Sequence, residues 1–383
     1  MNTTLIHKIK TSFKEQFKTE PLMIFSPGRI NIIGEHTDYN DGFVFPAAVD
    51  KGIVAAIGKS DSKTSSIAFA VDKNEIVKIY LNDLKPSSEG SWENYVFGVV
   101  AELQNRSKTI GNFNIAFGGD IPGGAGMSSS AALENSVVFG LNELFDLGLS
   151  KEDMILISQK AEHNYVGVKC GIMDQYASMF GIENHALLLD CRTVKSKPFK
   201  IDFKDHELML INTNVKHSLS DSAYNDRRSV CESIASMLKV KALRDAKEYD
   251  LESIKDQVTP ENYQKALYVI QENERAVQAS KAMEAGDLKT LGNLIYASHN
   301  GLQKQYKVSC EELDFLVEQA KLNGHILGAR MMGGGFGGCT INLIQKSETE
   351  SFKEFISEAY KNQFNKECSI YSVALSNGTG IIQ

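Results

Sequence analysis

Apolar positions change their period several times along the chain, and each change marks an element. Met1 to Phe17 (MNTTLIHKIKTSFKEQF) shows the amphipathic spacing of a helix. From Leu22 to Ala56, short apolar runs broken by Gly28, Gly34 and Gly42 predict strands and tight turns. Phe113, Ile115 and Phe117 alternate as a strand, whereas Leu133, Val137, Val138, Leu141, Leu144 and Phe145 recur at helical spacing. Ser150 followed by Asp153 is an N-cap signal for a helix carrying Ile155, Ile157, Ala161 and Tyr165. Leu208 to Asn212 predicts a further strand. His325 to Met332 and Cys339 to Ile344 predict two more, joined by Gly333-Gly334-Gly335-Phe336-Gly337-Gly338, which is too rich in glycine for an ordinary hairpin turn. The signals do not alternate as a regular βαβα series, so the expected class is α+β. The polar stretch between Asp190 and His206 is the expected boundary, dividing the chain into residues 1–198 and 199–383.

Between the strand ending near Phe117 and the helix after Ser130 lies Pro122 to Ala132, Pro-Gly-Gly-Ala-Gly-Met-Ser-Ser-Ser-Ala-Ala. Glycine lets backbone approach a phosphate closely, and the free N–H groups of the following helix carry the positive end of its dipole. The segment reads as a phosphate cradle, although a surface turn that merely starts a helix has the same composition. The pattern G-x-x-x-x-G-K-[ST] does not occur in the chain and no Lys adjoins this loop. Charge neutralisation is therefore expected from a metal.

Composition narrows the field. The 383 residues, 42% hydrophobic and 9% aromatic, suit a globular protein of more than one domain. A net charge of −7 and a pI of about 5.7 disfavour nucleic-acid binding. The six cysteines are scattered with no C-x-x-C pair, which predicts reduced thiols and no zinc site. With no signal-peptide pattern and no apolar run long enough for a membrane span, the expected location is the cytoplasm.

Three segments converge: Gly28-Arg29-Ile30-Asn31-Ile32-Ile33-Gly34-Glu35-His36-Thr37-Asp38-Tyr39-Asn40, the Gly/Ser loop, and Gly328-Ala329-Arg330-Met331-Met332 with the glycine run to Cys339. Together they resemble the GHMP kinases, a family of small-molecule kinases, and within it the members that phosphorylate galactose. The resemblance runs from Phe25 to about Cys339 and implies a two-lobed α+β fold with ATP and sugar in the cleft. Gly123 and Met332 depart from the usual Leu and Thr, which puts loop conformation in question and leaves the chemistry untouched.

The resemblance assigns roles. Asp174, in Cys170-Gly171-Ile172-Met173-Asp174-Gln175, matches the base that takes the anomeric hydroxyl proton, with Arg29 stabilising charge on the transferring group. A buried salt bridge that fixes a loop would use the same two residues. Ser130 and Glu162 are assigned to Mg²⁺; residue chemistry alone reads them as an N-cap and a solvated helical carboxylate. Glu35, His36, Thr37 and Asp38 are assigned to the sugar, with Gly171 through its backbone and Tyr224. Gly124, Ala125, Gly126, Met127, Ser128, Ser129 and Ser130 are assigned to the nucleotide, and Trp92 either flanks the base or belongs to the core. The implied function is transfer of the ATP γ-phosphate to the anomeric hydroxyl of galactose by a monomeric enzyme with no nucleic-acid or membrane partner. The alternatives are a related sugar kinase acting on N-acetylgalactosamine or arabinose, or a galactose sensor without catalysis. In such sensors the Ser-Ala run is disrupted, whereas Ser128 to Ala132 is intact here.

Overall fold

A computed structural model describes residues 2–88, 91–215 and 220–382, and the side chains of 220–222 are outside the description. Its strands are β1 (Leu22–Asn31), β2 (Phe43–Val44), β3 (Pro46–Lys59), β4 (Ser66–Ala70), β5 (Glu75–Ile79), β6 (Phe113–Gly119), β7 (His185–Asp190), β8 (Lys195–Lys200), β9 (His206–Asn212), β10 (Ile326–Met331), β11 (Cys339–Gln345), β12 (Ser369–Ser372) and β13 (Gly380–Ile381). The helices are α1 (Thr3–Phe17), α2 (Glu93–Asn105), α3 (Ser129–Phe145), α4 (Lys151–Ala161), α5 (Met173–Phe180), α6 (Ser220–Met237), α7 (Glu248–Glu252), α8 (Pro260–Glu284), α9 (Leu288–Gly301), α10 (Glu311–Leu322) and α11 (Thr349–Phe364).

Three sheets organise these elements. The largest runs β13-β1-β3-β6-β4-β5, antiparallel except for the parallel β4–β6 pair. Its central strands are covered on both sides, as the almost continuous burial of β1 and β3 requires. Helices α3 and α5 lie on one face with α2 and α4 behind them, and α1 lies on the other through Leu5, Ile9 and Phe13. The second sheet, β10-β11-β9-β12, packs on α9, α10 and α11, and a small sheet, β2-β7-β8, sits beside α8.

Local signals locate the elements closely. The alternation at Phe113–Phe117 is β6, the helical spacing after Ser130 is α3, and Ser150 and Asp153 form a reciprocal capping box on α4. Helix α4 stops at Ala161 and widens into a π-type turn over Glu162–Val166, so Tyr165 lies beyond it. The stretch from 190 to 206, expected as a boundary, contains β8 in antiparallel register with β7. Its polarity reflects an edge strand, whose outer face is wet. The chain end also returns to the first sheet, where Ile24 and Phe25 of β1 pair with Ile381 and Gly380. Among the described residues no helix is long and apolar enough to cross a membrane.

Candidate functional site

The site forms where three distant segments meet at the end of β1. The register between β1 and β3 shifts between Pro27 and Arg29, and there the Arg29 N–H turns to donate to the Met127 carbonyl at 3.0 Å. Its guanidinium donates to the Gly126 carbonyl and grips Asp174 with two bonds, Nε to Oδ1 at 2.7 Å and Nη2 to Oδ2 at 2.6 Å. Arg29 is nearly buried, whereas the Asp174 side chain is 26% exposed, so the carboxylate keeps a face on the cleft. The third segment locks the glycine-serine loop from behind. Gly126 is left-handed at φ 67°, and a side chain there would press on the Met332 carbonyl at 3.0 Å. Met332 is buried in this core, while Gly123 is exposed with open space around it, so neither departure from the family pattern disturbs the contact.

A cavity with about 130 Å³ of free volume is lined by Arg29, Glu35, His36, Asp38, Glu162, Gly171, Asp174 and Tyr224, together with Val168, Cys170, Met173, Gly333 and Gly334. Most of the residues expected to touch sugar or catalyse are thus brought together. Thr37 is not among them: its hydroxyl lies between the Gly34 and Phe43 carbonyls at 2.8 and 2.7 Å and braces the loop. Trp92 is also elsewhere, packed edge-on against Phe117 with its indole N–H on Glu75 at 2.6 Å, so its core role is what the fold displays.

The loop from Gly34 to Phe43 is held from outside. Tyr268 of α8 donates to the Glu35 carbonyl at 3.0 Å, Glu272 accepts from the Gly34 N–H at 2.9 Å, and Asn273 accepts from the Phe43 N–H at 2.8 Å. Arg330, fully buried in β10, donates to Glu35 Oε1 at 3.1 Å and to the Ile32, Asn31 and Met331 carbonyls. The Gly333 N–H takes the same Oε1 at 2.8 Å, which leaves Oε2 as the free acceptor. Gly171 has to be glycine because a Cβ there would fall inside the Asp38 carboxylate. Burial and then the Asp174 charge push Asp38 up to about 7, while burial and then the Arg227 charge drive His36 down to about 3.

The side of the cleft at the glycine-serine loop is built differently. Helix α3 begins at Ser129, and its cap residue is Ser128 in the left-handed region at φ 56°, its buried hydroxyl without a partner among the described residues. Ser130 therefore lies inside the first turn and is not the cap; it lies near enough to Glu162 to favour that carboxylate's charged form. Glu162 opens the π-type turn, a feature often found at functional sites. Burial and then the Asp174 charge push it up to about 7. Beneath it lies Glu134, fully buried one turn along α3, raised well above the carboxylate range by burial and then by Glu162. The Gln175 amide spans the two, donating to Glu162 at 2.9 Å and to Glu134 at 3.4 Å. These hard oxygen donors fit Mg²⁺, although among the described residues no cluster of three or more His, Cys, Asp or Glu could hold a metal unaided.

Sequence reasoning missed Glu134, Gln175 and Arg330. Each had a signal: Glu134 stands four residues after Ser130 on one helix face, Gln175 adjoins Asp174, and Arg330 sits inside the third motif.

Comparison with known proteins agrees with this geometry. Residues 11–59 match the galactokinase galactose-binding signature, 94–182 the GHMP kinases N-terminal domain and 279–362 the GHMP kinases C-terminal domain. The galactokinase of Thermotoga petrophila is 39% identical over 357 residues, 93% of this chain and 99% of that one. That of Clostridium beijerinckii is 39% identical over 382 residues, 98% of each chain. The crystal structure of Lactococcus lactis galactokinase complexed with galactose superposes with a TM-score of 0.93 at 33% identity, covering 97% of this chain and 98% of that one. The Methanococcus jannaschii mevalonate kinase shares the fold at a TM-score of 0.65 and 17% identity. The chain has the α+β GHMP kinase fold and belongs to the galactokinase family.

Proposed function

We propose that this protein transfers the γ-phosphate of ATP to the C1 hydroxyl of galactose, yielding galactose 1-phosphate and ADP. The observation that carries the reading is one cavity in which the Arg29–Asp174 pair faces the polar side chains of Glu35, His36, Asp38 and Tyr224. Phosphoryl transfer needs little covalent help from the protein, so positioning and charge neutralisation dominate. Asp174 accepts the proton of the C1 hydroxyl as that oxygen bonds to the γ-phosphorus and the bond to ADP breaks. Arg29 holds the Asp174 carboxylate in place and lends positive charge to the transferring group. Glu35 Oε2, Asp38 and Tyr224 read the sugar hydroxyls, and the N–H groups from Gly124 to Ser130 receive the phosphates. Ser130 and Glu162 would hold Mg²⁺, which supplies neutralisation of phosphate charge when bound. We further propose a cytoplasmic monomer acting on free small molecules, supported by six free thiols and a net charge of −7. The working division is residues 1–198, completed by the returning β13, and the remainder from 199.

The test is ADP release across a sugar panel. Galactose and glucose differ at one hydroxyl, and a buried reader left unpaired by the wrong epimer discriminates strongly. Strong preference for galactose over glucose, arabinose and N-acetylgalactosamine is expected. Faster turnover of either of the last two would replace the substrate, and no ADP release with any sugar would favour a sensor.

A further inference from the structure

His36 is held by a row of hydroxyl groups that the reaction itself does not use. Its Nδ1 lies 2.8 Å from the Tyr39 hydroxyl, which lies 2.7 Å from the Tyr306 hydroxyl, which lies 3.5 Å from Cys231 Sγ. All four groups are buried or nearly so, and Tyr306 closes a second π-type turn, Leu302–Tyr306. At the other end, His36 Nε2 is buried with no hydrogen bond of good geometry among the described residues, although the Gly334 backbone lies close enough to act on the ring, which lines the cavity beside Asp38, Glu35 and Gly334. Each group in the row carries one proton, so the row must point one way.

We infer that Tyr39, backed by Tyr306 and Cys231, fixes the tautomer of His36 so that Nε2–H is a permanent donor to a galactose hydroxyl. Tyr39 and Tyr306 are then positioning residues for sugar recognition. The direction follows from donor and acceptor strength. Pointed toward His36, the row ends on imidazole nitrogen, a good acceptor for a phenol proton. Pointed away, it ends on sulfur, a weak acceptor. Burial keeps the ring neutral, so a single proton has to be assigned to one nitrogen. The result is a fixed donor beside the acceptor Glu35, which suits a hydroxyl that must both give and receive.

The inference rests on the sugar reading of the cavity, and its test separates the two. In the ¹⁵N-histidine-labelled protein, long-range ¹H–¹⁵N spectra report which nitrogen bears the proton, with the His36 signal identified by its loss in His36→Gln. The wild type should show the Nε2–H form with or without sugar. Tyr39→Phe, and independently Tyr306→Phe, should mix the tautomers and raise KM for galactose about tenfold, with kcat and ATP affinity little changed. Thermal melts identify a variant that fails to fold, and the wild-type spectrum decides the tautomer in that case. A wild-type Nδ1–H form, or an unchanged tautomer and KM in folded Tyr39→Phe and Tyr306→Phe, would overturn the inference. Absence of galactose binding by wild type with the Nε2–H form intact would instead overturn the sugar reading.

Discussion

On the sugar side of the cleft, neighbours take up the surplus hydrogen-bonding capacity of the pocket side chains: Glu35 Oε1 by Arg330 and Gly333, His36 Nδ1 by Tyr39, and the loop backbone by α8. On the phosphate side, Asp174, Glu162 and Glu134 crowd together, and Ser128 Oγ, Glu134 Oε1 and Gln175 Oε1 are buried without partners among the described residues. The contrast matches two kinds of task. Reading an epimer demands donors and acceptors locked in advance, because discrimination comes from the bond that goes unmade. Gathering a polyanion and its cation demands carboxyl oxygens whose charge is opposed by burial and then by mutual repulsion, an opposition that a cation relieves.

The largest way to break the contrast is at the residue both sides share. Asp174→Asn should lower kcat by a factor of about 10² to 10⁴ while circular dichroism and nucleotide affinity stay close to wild type. Normal turnover would make Asp174 only a partner of Arg29. Next is the clamp on the sugar side. Arg330→Met strands the buried Glu35 carboxylate and frees three carbonyls, so denaturant titration should show a loss of about 3–5 kcal/mol. A change well under 1 kcal/mol would mean that Glu35 is held by Gly333 alone.

A smaller effect, of opposite sign, sharpens the comparison through pH. The carboxyl of Asp38 rises from 3.8 to about 7 on folding, so its contribution to stability is complete below about pH 4 and is lost as pH rises through 7. Asp38→Asn should therefore melt higher than wild type at pH 8, by about 1–3 kcal/mol, with the gap closing toward pH 4, while galactose activity collapses. A gap that widens on acidification would reverse the assignment. Smallest is the phosphate side. Ser130→Ala removes a hydroxyl that lies beside Glu162 and does not cap α3, so stability should change by less than about 1 kcal/mol. The concentration of Mg²⁺ needed for half-maximal rate should rise several-fold, with weaker Mn²⁺ binding by electron paramagnetic resonance. Unchanged metal dependence would remove Ser130 from the metal assignment.

Legibility in the sequence followed the range of the interaction. Ser150 and Asp153 announce the start of α4 because a capping box spans three residues, and Phe113, Ile115 and Phe117 announce β6 because strand alternation is local. The three motifs announce a site because glycines and charges occur where backbone must approach a ligand. Trp92 was ambiguous for the same reason inverted: one large aromatic carries no period, and only Phe117 and Glu75 around it decide its place. Polarity alone does not distinguish an edge strand such as β8, within the 190–206 stretch, from a linker, since both are wetted alike.

The sequence by itself determined the class of fold, the glycine-rich loop that leads into α3, and the set of polar groups gathered after Gly34. Tertiary structure alone decided that Arg330 grips Glu35 across 295 positions, that Glu134 lies beneath Glu162, that Ser128 and not Ser130 stands at the N-cap of α3, and that β13 returns to pair with β1. Periodicity and caps are properties of a few adjacent residues and can be read in order along the chain. The partner of a buried charge is chosen by which distant segments the core brings together, and one-dimensional spacing carries no record of that choice.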